Sequence, residues 1–339
     1  VRDLLVVGAG PAGLAAALGA ARAGLDVAVC DRRTGPIDKA CGEGLMPGAV
    51  RALADLGVDP PGHDIRGIAY VRGPVRAHAS FTSGPGRGVR RTALQDSLLA
   101  AVLAAGVPVL HRRITDVRQF DDHVRADDLC ARYLVAADGL HSPIRRSAGL
   151  ATRSRGPSRW GQRRHYSLPP WTDFVEVTWA RGAEAYVTPV ADDVVGVAVL
   201  SSGRGPFERQ LAAFPALAAR LAAATPASDV RGAGPLRQRV RARVAGRILL
   251  VGDAAGYVDA LTGEGIAVAL AAARELVACV VADRPDRYER AWLRVSRRSR
   301  LITSALLAAR RQPLVARSIV PVATRLPRVF AAAVDQLAG

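Results

Sequence analysis

The sequence predicts an α/β fold in which a mostly parallel sheet is interrupted by an antiparallel one and followed by helices. Three observations carry this. Residues 4–31 read as strand, glycine-rich turn, helix and strand; residues 160–200 alternate apolar and polar side chains; and Ile248–Val251 restores the short apolar run of a buried parallel strand. The chain leaves its first unit and returns to it, so the expected division is discontinuous. Residues 1–75, 90–155 and 240–283 form one unit, 76–89 and 156–239 a second, and 284–339 a helical region.

Taken in order, Leu4–Val7 is an apolar run that leads into Gly8-Ala9-Gly10-Pro11-Ala12-Gly13, an alanine-rich helix to Ala23, a stop at Gly24 and a second strand ending on Asp31. The glycine spacing has a physical reason: the first permits the tight turn, the second lets the backbone approach a pyrophosphate, and the third packs helix on strand. The anion then sits at a helix N-terminus, where free N–H groups and the helix dipole favour it. Asp31, at the tip of the second strand, suits the hydroxyls of a ribose. Leu4–Ala21 is uncharged, but Gly8, Gly10, Pro11 and Gly13 interrupt it, which fits a folded nucleotide unit better than a membrane span. The glycine pairs 84/86, 203/205 and 232/234 lack this context and read as turns, so no second dinucleotide fold is expected.

Farther along, Pro47–Leu56 has helical spacing, Ile65–Phe81 reads as strands, and Arg90–Ala105 as a helix with Thr92 as its expected N-cap. Strands follow at Val107–Leu110, near Val117 and at Arg132–Ala136. The alternation from Trp160 to Leu200 implies an antiparallel sheet with one solvated or ligand-facing side.

Composition narrows the classes. Half of the residues are apolar and 23% are charged, which excludes a disordered chain. The net charge of +17 is almost all arginine, with Lys39 the single lysine, and reads as compositional bias; with 5% aromatic residues and no recognisable module, nucleic-acid binding is not expected. Cys30, Cys41, Cys130 and Cys279 form no CxxC pair, so neither a disulfide framework nor a metal site is indicated, and a reducing cytoplasmic setting fits.

Three motifs coincide: the N-terminal fingerprint, Tyr133-Leu134-Val135-Ala136-Ala137-Asp138-Gly139-Leu140-His141-Ser142, and Val251-Gly252-Asp253-Ala254-Ala255-Gly256. In this order and spacing they resemble the para-hydroxybenzoate-hydroxylase-like FAD flavoproteins, which include class A aromatic monooxygenases, geranylgeranyl reductases and flavin halogenases. The resemblance spans residues 1–283. It implies a Rossmann-like FAD-binding domain of the glutathione-reductase type with an inserted substrate sheet and C-terminal helices. It places cofactor contacts at Gly8, Gly10, Pro11, Ala12, Gly13, Asp31, Arg32, Cys41, Gly42, Arg91, Asp138, Gly252, Asp253, Gly263, Glu264, Gly265 and Ile266.

Within that group, Lys39-Ala40-Cys41-Gly42-Glu43-Gly44-Leu45 and Asp259-Ala260-Leu261-Thr262-Gly263-Glu264-Gly265-Ile266 look most like the geranylgeranyl-reductase branch. There the cysteine loop lies near the flavin ring and the Thr-Gly-Glu-Gly turn leads N–H groups toward its N1/O2 edge. Ala260 stands where many relatives have proline, and Gly256 where many hydroxylases have histidine. The paired-tryptophan motif of halogenases is not found. Cys41 and Glu264 are the candidate catalytic side chains, against a packing role for the thiol and a loop-bracing role for the carboxylate. His165, Trp179 and Tyr186 are the candidate substrate contacts.

The leading expectation is a monooxygenase that takes a hydride from NADH or NADPH, forms a flavin hydroperoxide with oxygen and hydroxylates an aromatic, polyketide-like or lipophilic small molecule. The alternatives are a reductase of prenyl-lipid double bonds and a non-catalytic flavin protein at a membrane. Arg287, Arg290, Arg294, Arg297 and Arg298 share one helix face, and apolar stretches follow at 301–309, 314–322 and 329–337. Such basic amphipathic helices suit peripheral contact at the inner face of a membrane; none is long enough to span it.

Overall fold

The computed structural model describes residues 1–153 and 158–338. Its first sheet runs, from edge to edge, through the strands Val244–Ala245, Ile248–Leu250, Leu129–Ala136, Arg2–Val7, Val27–Asp31 and Val109–His111. The last five are parallel. Val27–Asp31 is wholly buried, and Leu4, Val6, Ala28, Val29, Leu134 and Val135 are at or below 1% exposure, as expected for strands covered on both faces. Helix Pro11–Arg22 packs against helix Gly265–Val281; its alanines and Gly19, whose added Cβ would come 3.6 Å from Val277, allow the close approach.

The second sheet has the order Thr225–Pro226, Trp160–Ser167, Val194–Ser201, Ala183–Ala191, Phe174–Ala180, Gly67–Arg72, Val75–Ser80. Side-chain alternation splits it into two faces. Val177, Tyr186 and Ala198 are register partners on one face. That face joins Ile68, Trp179 and Leu200 in a cluster with Val320, Phe330 and Val334 of the C-terminal helices. Ala185, Val187, Val197 and Val199 form the other face, covered by helices Phe207–Leu211 and Pro215–Leu221.

Two expectations are corrected. The strand Gly67–Arg72 belongs to the second sheet, where it runs parallel to Phe174–Ala180, so the expected limit at residue 75 falls too late. The helix Arg91–Ala104 has no side-chain cap of its own and does not use Thr92; Glu43, distant in sequence, accepts the Arg91 N–H at 2.8 Å instead. The expected limit at 155/156 lies outside the described residues. The C-terminal region forms helices Tyr288–Arg311, Pro313–Arg325 and Pro327–Ala338. Among the described residues no helix is long and apolar enough to cross a membrane.

Candidate active site

The carboxyl ends of the parallel strands and the inner face of the second sheet enclose one continuous cavity of about 690 Å³. One end is polar and is built by the sequence motifs. Gly8 turns with φ +117°, and its added Cβ would strike the Ala137 carbonyl at 2.3 Å; a Cβ on Gly13 would stand 1.9 Å from the Gly8 carbonyl oxygen. Both glycines are therefore structural and neither borders the cavity. Gly10 differs: the nearest atom to its added Cβ is Arg91 Nη2 at 3.8 Å, which leaves the space open on the cavity side. Pro11 opens the following helix, whose N-terminus has no side-chain cap.

Arg91 is buried and its Nη1 has no partner among the described residues. Burial pushes its pKa down, opposed by Cys41, Asp253 and Glu43. An uncapped helix N-terminus, a glycine with open space before it and an orphaned buried guanidinium are what a bound diphosphate satisfies. The residues thus fit FAD. Gly10, Pro11 and Ala12, Arg32, Cys41 and Gly42, Arg91, Asp138, Gly252 and Asp253, and Gly263, Gly265 and Ile266 all border the cavity.

Asp31 is placed differently from the expectation. It is buried behind the glycine turn and accepts the Ala9 N–H at 2.8 Å and Arg33 Nε at 3.0 Å. Burial raises its pKa, but these donors outweigh it and the carboxyl stays below its ordinary value. Asp138 accepts the Ile144 N–H at 3.2 Å with one oxygen, while the other is buried and without a partner among the described residues. Burial keeps its pKa raised against Ser142, the Ile144 amide and Arg145.

Arg145, which sequence reasoning missed, fastens these motifs together. It donates to the carbonyls of Leu140 at 2.8 Å and Ala254 at 3.1 Å, tying the Asp138–Gly139 turn to the Gly252–Asp253 turn. Its position just past the Asp-Gly motif is the one signal that could have found it.

Cys41 borders the cavity, and its sulfur accepts the Glu43 N–H at 3.4 Å. Burial raises the thiol's pKa, with Arg91 opposing, so the group holds its proton. Glu264 does not border the cavity, although both neighbouring glycines do. Burial raises its pKa, opposed by the Ser299 and Thr262 hydroxyls and Arg298. The side chain lies beside the helix Tyr288–Arg311 and off the cavity wall, and its Oε2 is buried without a partner among the described residues.

The other end of the cavity is apolar, walled by Ile68, Val175, Val177, Leu200, Leu261 and Leu337. Tyr186 borders it and donates its hydroxyl to the Leu261 carbonyl at 2.8 Å. Trp179 stands behind, edge-on to Tyr70 with centroids 5.3 Å apart, and does not reach the cavity. His165 is corrected as a substrate contact: Glu43 Oε2 at 2.7 Å and Ser228 Oγ at 3.0 Å occupy both ring nitrogens, and it is 2% exposed. Behind Tyr186, Glu184 is fully buried between Arg159 and Arg310, and Arg159 also donates to Asp259 at 2.8 Å.

Comparison with known proteins agrees with this geometry. A family described as an FAD binding domain matches residues 2–65 and 111–283. The menaquinone reductase of Mycobacterium tuberculosis is 30% identical over 93% of this chain and 88% of its own. Digeranylgeranylglycerophospholipid reductase 2 of Methanosphaera stadtmanae is 30% identical over 79% of this chain and 75% of its own. A flavoprotein/dehydrogenase from Cytophaga hutchinsonii shares the fold, with TM-score 0.85 at 18% identity over 99% of this chain and 92% of that one. Motifs, cavity and relatives converge: the chain belongs to the FAD-binding family and is an FAD-dependent oxidoreductase.

Proposed function

We propose that this oxidoreductase reduces carbon–carbon double bonds in the isoprenoid chain of a prenyl lipid or prenylated quinone. The carrying observation is the apolar arm of the cavity, which continues from the flavin end to Leu337 on the last helix between largely aliphatic walls that Tyr70 and Tyr186 complete. An aliphatic arm binds a flexible hydrocarbon by burial, without directing polar groups. The names of the two relatives, a menaquinone reductase and a digeranylgeranylglycerophospholipid reductase, support the same substrate class. Hydroxylation, the first expectation from sequence, draws support only from the fold, which the whole group shares.

Bound FAD supplies the two-electron exchange. The chain's part is to hold the double bond beside it, exclude water and provide a proton. The backbone N–H groups at Gly263–Ile266 would meet the flavin edge, and Cys41, whose thiol burial keeps protonated at the cavity wall, would be the proton source. NADH or NADPH is proposed as electron donor, received at the rim that carries Arg32, Arg33 and Arg204. Peripheral membrane contact is proposed through the C-terminal helices, where Leu301, Val322, Leu326 and Val329 are exposed beside Arg297, Arg325 and Arg328.

The test is anaerobic. FAD-loaded protein is reduced chemically and mixed with a polyprenyl quinone or a geranylgeranyl lipid, and the products are weighed by mass spectrometry. A gain of two hydrogens per double bond without oxygen supports the proposal. Product that forms only in air and gains an oxygen atom sinks it.

A further inference from the structure

The chain's 47 lysine and arginine positions hold one lysine, Lys39. Arginine serves even in exposed pairs such as Arg2–Asp26 and Arg284–Asp286, where either cation would do. The one exception marks a place where the two cations are not interchangeable. An ammonium is a compact charge with three rotatable donors, whereas a guanidinium is a broad planar fork.

Lys39 borders the cavity at its polar end, and its Nζ stands 2.8 Å from where a Cβ on Gly139 would be. Gly139 has φ +85°, so the turn is one that glycine favours, and the ammonium occupies the space this glycine leaves. Four motif elements surround it by charge: Asp253, Arg33, Arg91 and Asp31. No side-chain hydrogen bond holds it among the described residues. Asp31 is already engaged by Arg33 and the Ala9 amide.

Two cations, Lys39 and Arg91, therefore face the same stretch of cavity without an anion of their own. Burial pushes the pKa of Lys39 down, Arg33 and Arg91 push the same way, and Asp253 and Asp31 oppose them without restoring it. A buried cation such as Arg91 is costly unless paired, and the half-buried Lys39 adds like charge beside it. A diphosphate supplies the missing charge.

We propose that Lys39 is a second cationic clamp on the FAD diphosphate, acting with Arg91, and that the space against Gly139 admits an ammonium but not a guanidinium. This rests on FAD binding and not on the prenyl-reductase reading.

A lone lysine provides its own readout. An amine-reactive reagent modifies only Lys39 and the terminal amine, and peptide mass spectrometry follows both in the full chain, stripped of FAD and reloaded. The expected result is that FAD slows modification of Lys39 at least tenfold while the terminal amine reacts at an unchanged rate. Equal rates at Lys39 overturn the proposal. Two variants extend the test through FAD affinity, read by flavin fluorescence. Lys39→Met and Lys39→Arg should each weaken binding about tenfold or more, the usual worth of a charge-assisted hydrogen bond. FAD-free Lys39→Met should melt no lower than wild type, because a half-buried cation with no ion-pair partner among the described residues is gone. Wild-type affinity in Lys39→Met overturns the clamp, and wild-type affinity in Lys39→Arg overturns the requirement for an ammonium. Wild-type protein that takes up no FAD would overturn the flavin assignment together with the clamp, a result distinct from either.

Discussion

Glu43 and His165 lie 122 residues apart in the chain and meet at 2.7 Å in the buried seam between the two sheets. Glu43 adopts φ +60°, uncommon outside glycine, and uses both carboxylate oxygens, one for His165 and one for the amide that starts the Arg91 helix. Arg163, 1% exposed, stands 3.7 Å from the same carboxylate and also pairs with Asp38. One side chain thus holds the arginine of the cofactor end and a strand of the substrate sheet in fixed relation.

Removing it should be costly. Glu43→Ala strands His165, Arg163 and the Arg91 amide, and should lower the unfolding free energy of FAD-free protein by about 3–5 kcal/mol in urea titrations. Glu43→Gln keeps an acceptor for the amide and should lose less. A loss below about 1 kcal/mol in Glu43→Ala, the range of an ordinary surface substitution, would show that the seam does not depend on this group.

The fingerprint glycines should separate folding from binding. Gly13→Ala drives a Cβ to within 1.9 Å of the Gly8 carbonyl, so the backbone must move, and soluble yield and thermal midpoint should both fall sharply. Gly10→Ala meets nothing closer than 3.8 Å and should fold normally. Its methyl intrudes on the open side where a diphosphate would lie, so FAD affinity should drop about tenfold or more. Equal stability in the two variants would contradict the packing described.

The parts of this molecule that can be read from sequence are the local ones. Gly8 to Asp31 declare strand, turn, helix and strand because each signal acts on its neighbours, and the alternation from Trp160 to Leu200 declares two faces for the same reason. Periodicity says which face is apolar and not what covers it. The inner face of the second sheet therefore gave no sign that Val320, Phe330 and Val334 lie on it. His165 read as a candidate substrate contact because its partner, Glu43, sits in another motif. Gly67–Arg72 looked like part of the first unit because it follows it in the chain, while hydrogen bonding assigns it to the second.

Glu184 ties the C-terminal helices to the site. It is fully buried and pairs with Arg310 of the helix Tyr288–Arg311 and with Arg159, which in turn holds Asp259 at the start of the flavin-edge turn. Glu184→Gln leaves two arginines facing one carboxylate and should cost about 3–5 kcal/mol in unfolding experiments. Limited proteolysis should then cut the last two helices first, because Arg310 anchors the segment that leads into them. Cleavage no faster than in wild type would show that apolar packing alone holds the tail.

Glu264 can be separated from catalysis by pH. Its pKa is raised by burial, so the folded protein holds this proton more tightly than the unfolded chain. The stabilising contribution of the protonated form is full below the unfolded value, about 4.3, and is lost as pH rises through the folded one. Wild type and Glu264→Gln should therefore be nearly equal in stability at the acid end, and the variant should gain on wild type as pH rises toward neutrality. Turnover should persist in Glu264→Gln, since the side chain does not border the cavity. A hundredfold fall in turnover, the scale of losing a general acid or base, would return Glu264 to the catalytic machinery.

The apolar arm makes the sharpest demand on substrate length. Leu337 is 7% exposed, borders the cavity from the last helix, and has Phe330 and Val334 in the same helix buried against the second sheet. Leu337→Trp fills the far end of the arm without touching the polar end where FAD is held. FAD affinity and the rate of flavin reduction should match wild type, while kcat/KM for a long prenyl chain should fall about tenfold or more and that for a single-isoprene analogue should hold. The contrast between the two chain lengths matters because a loss on both would indicate a disturbed fold. If the long chain is turned over as before, the arm does not hold it, and the prenyl substrate must lie elsewhere.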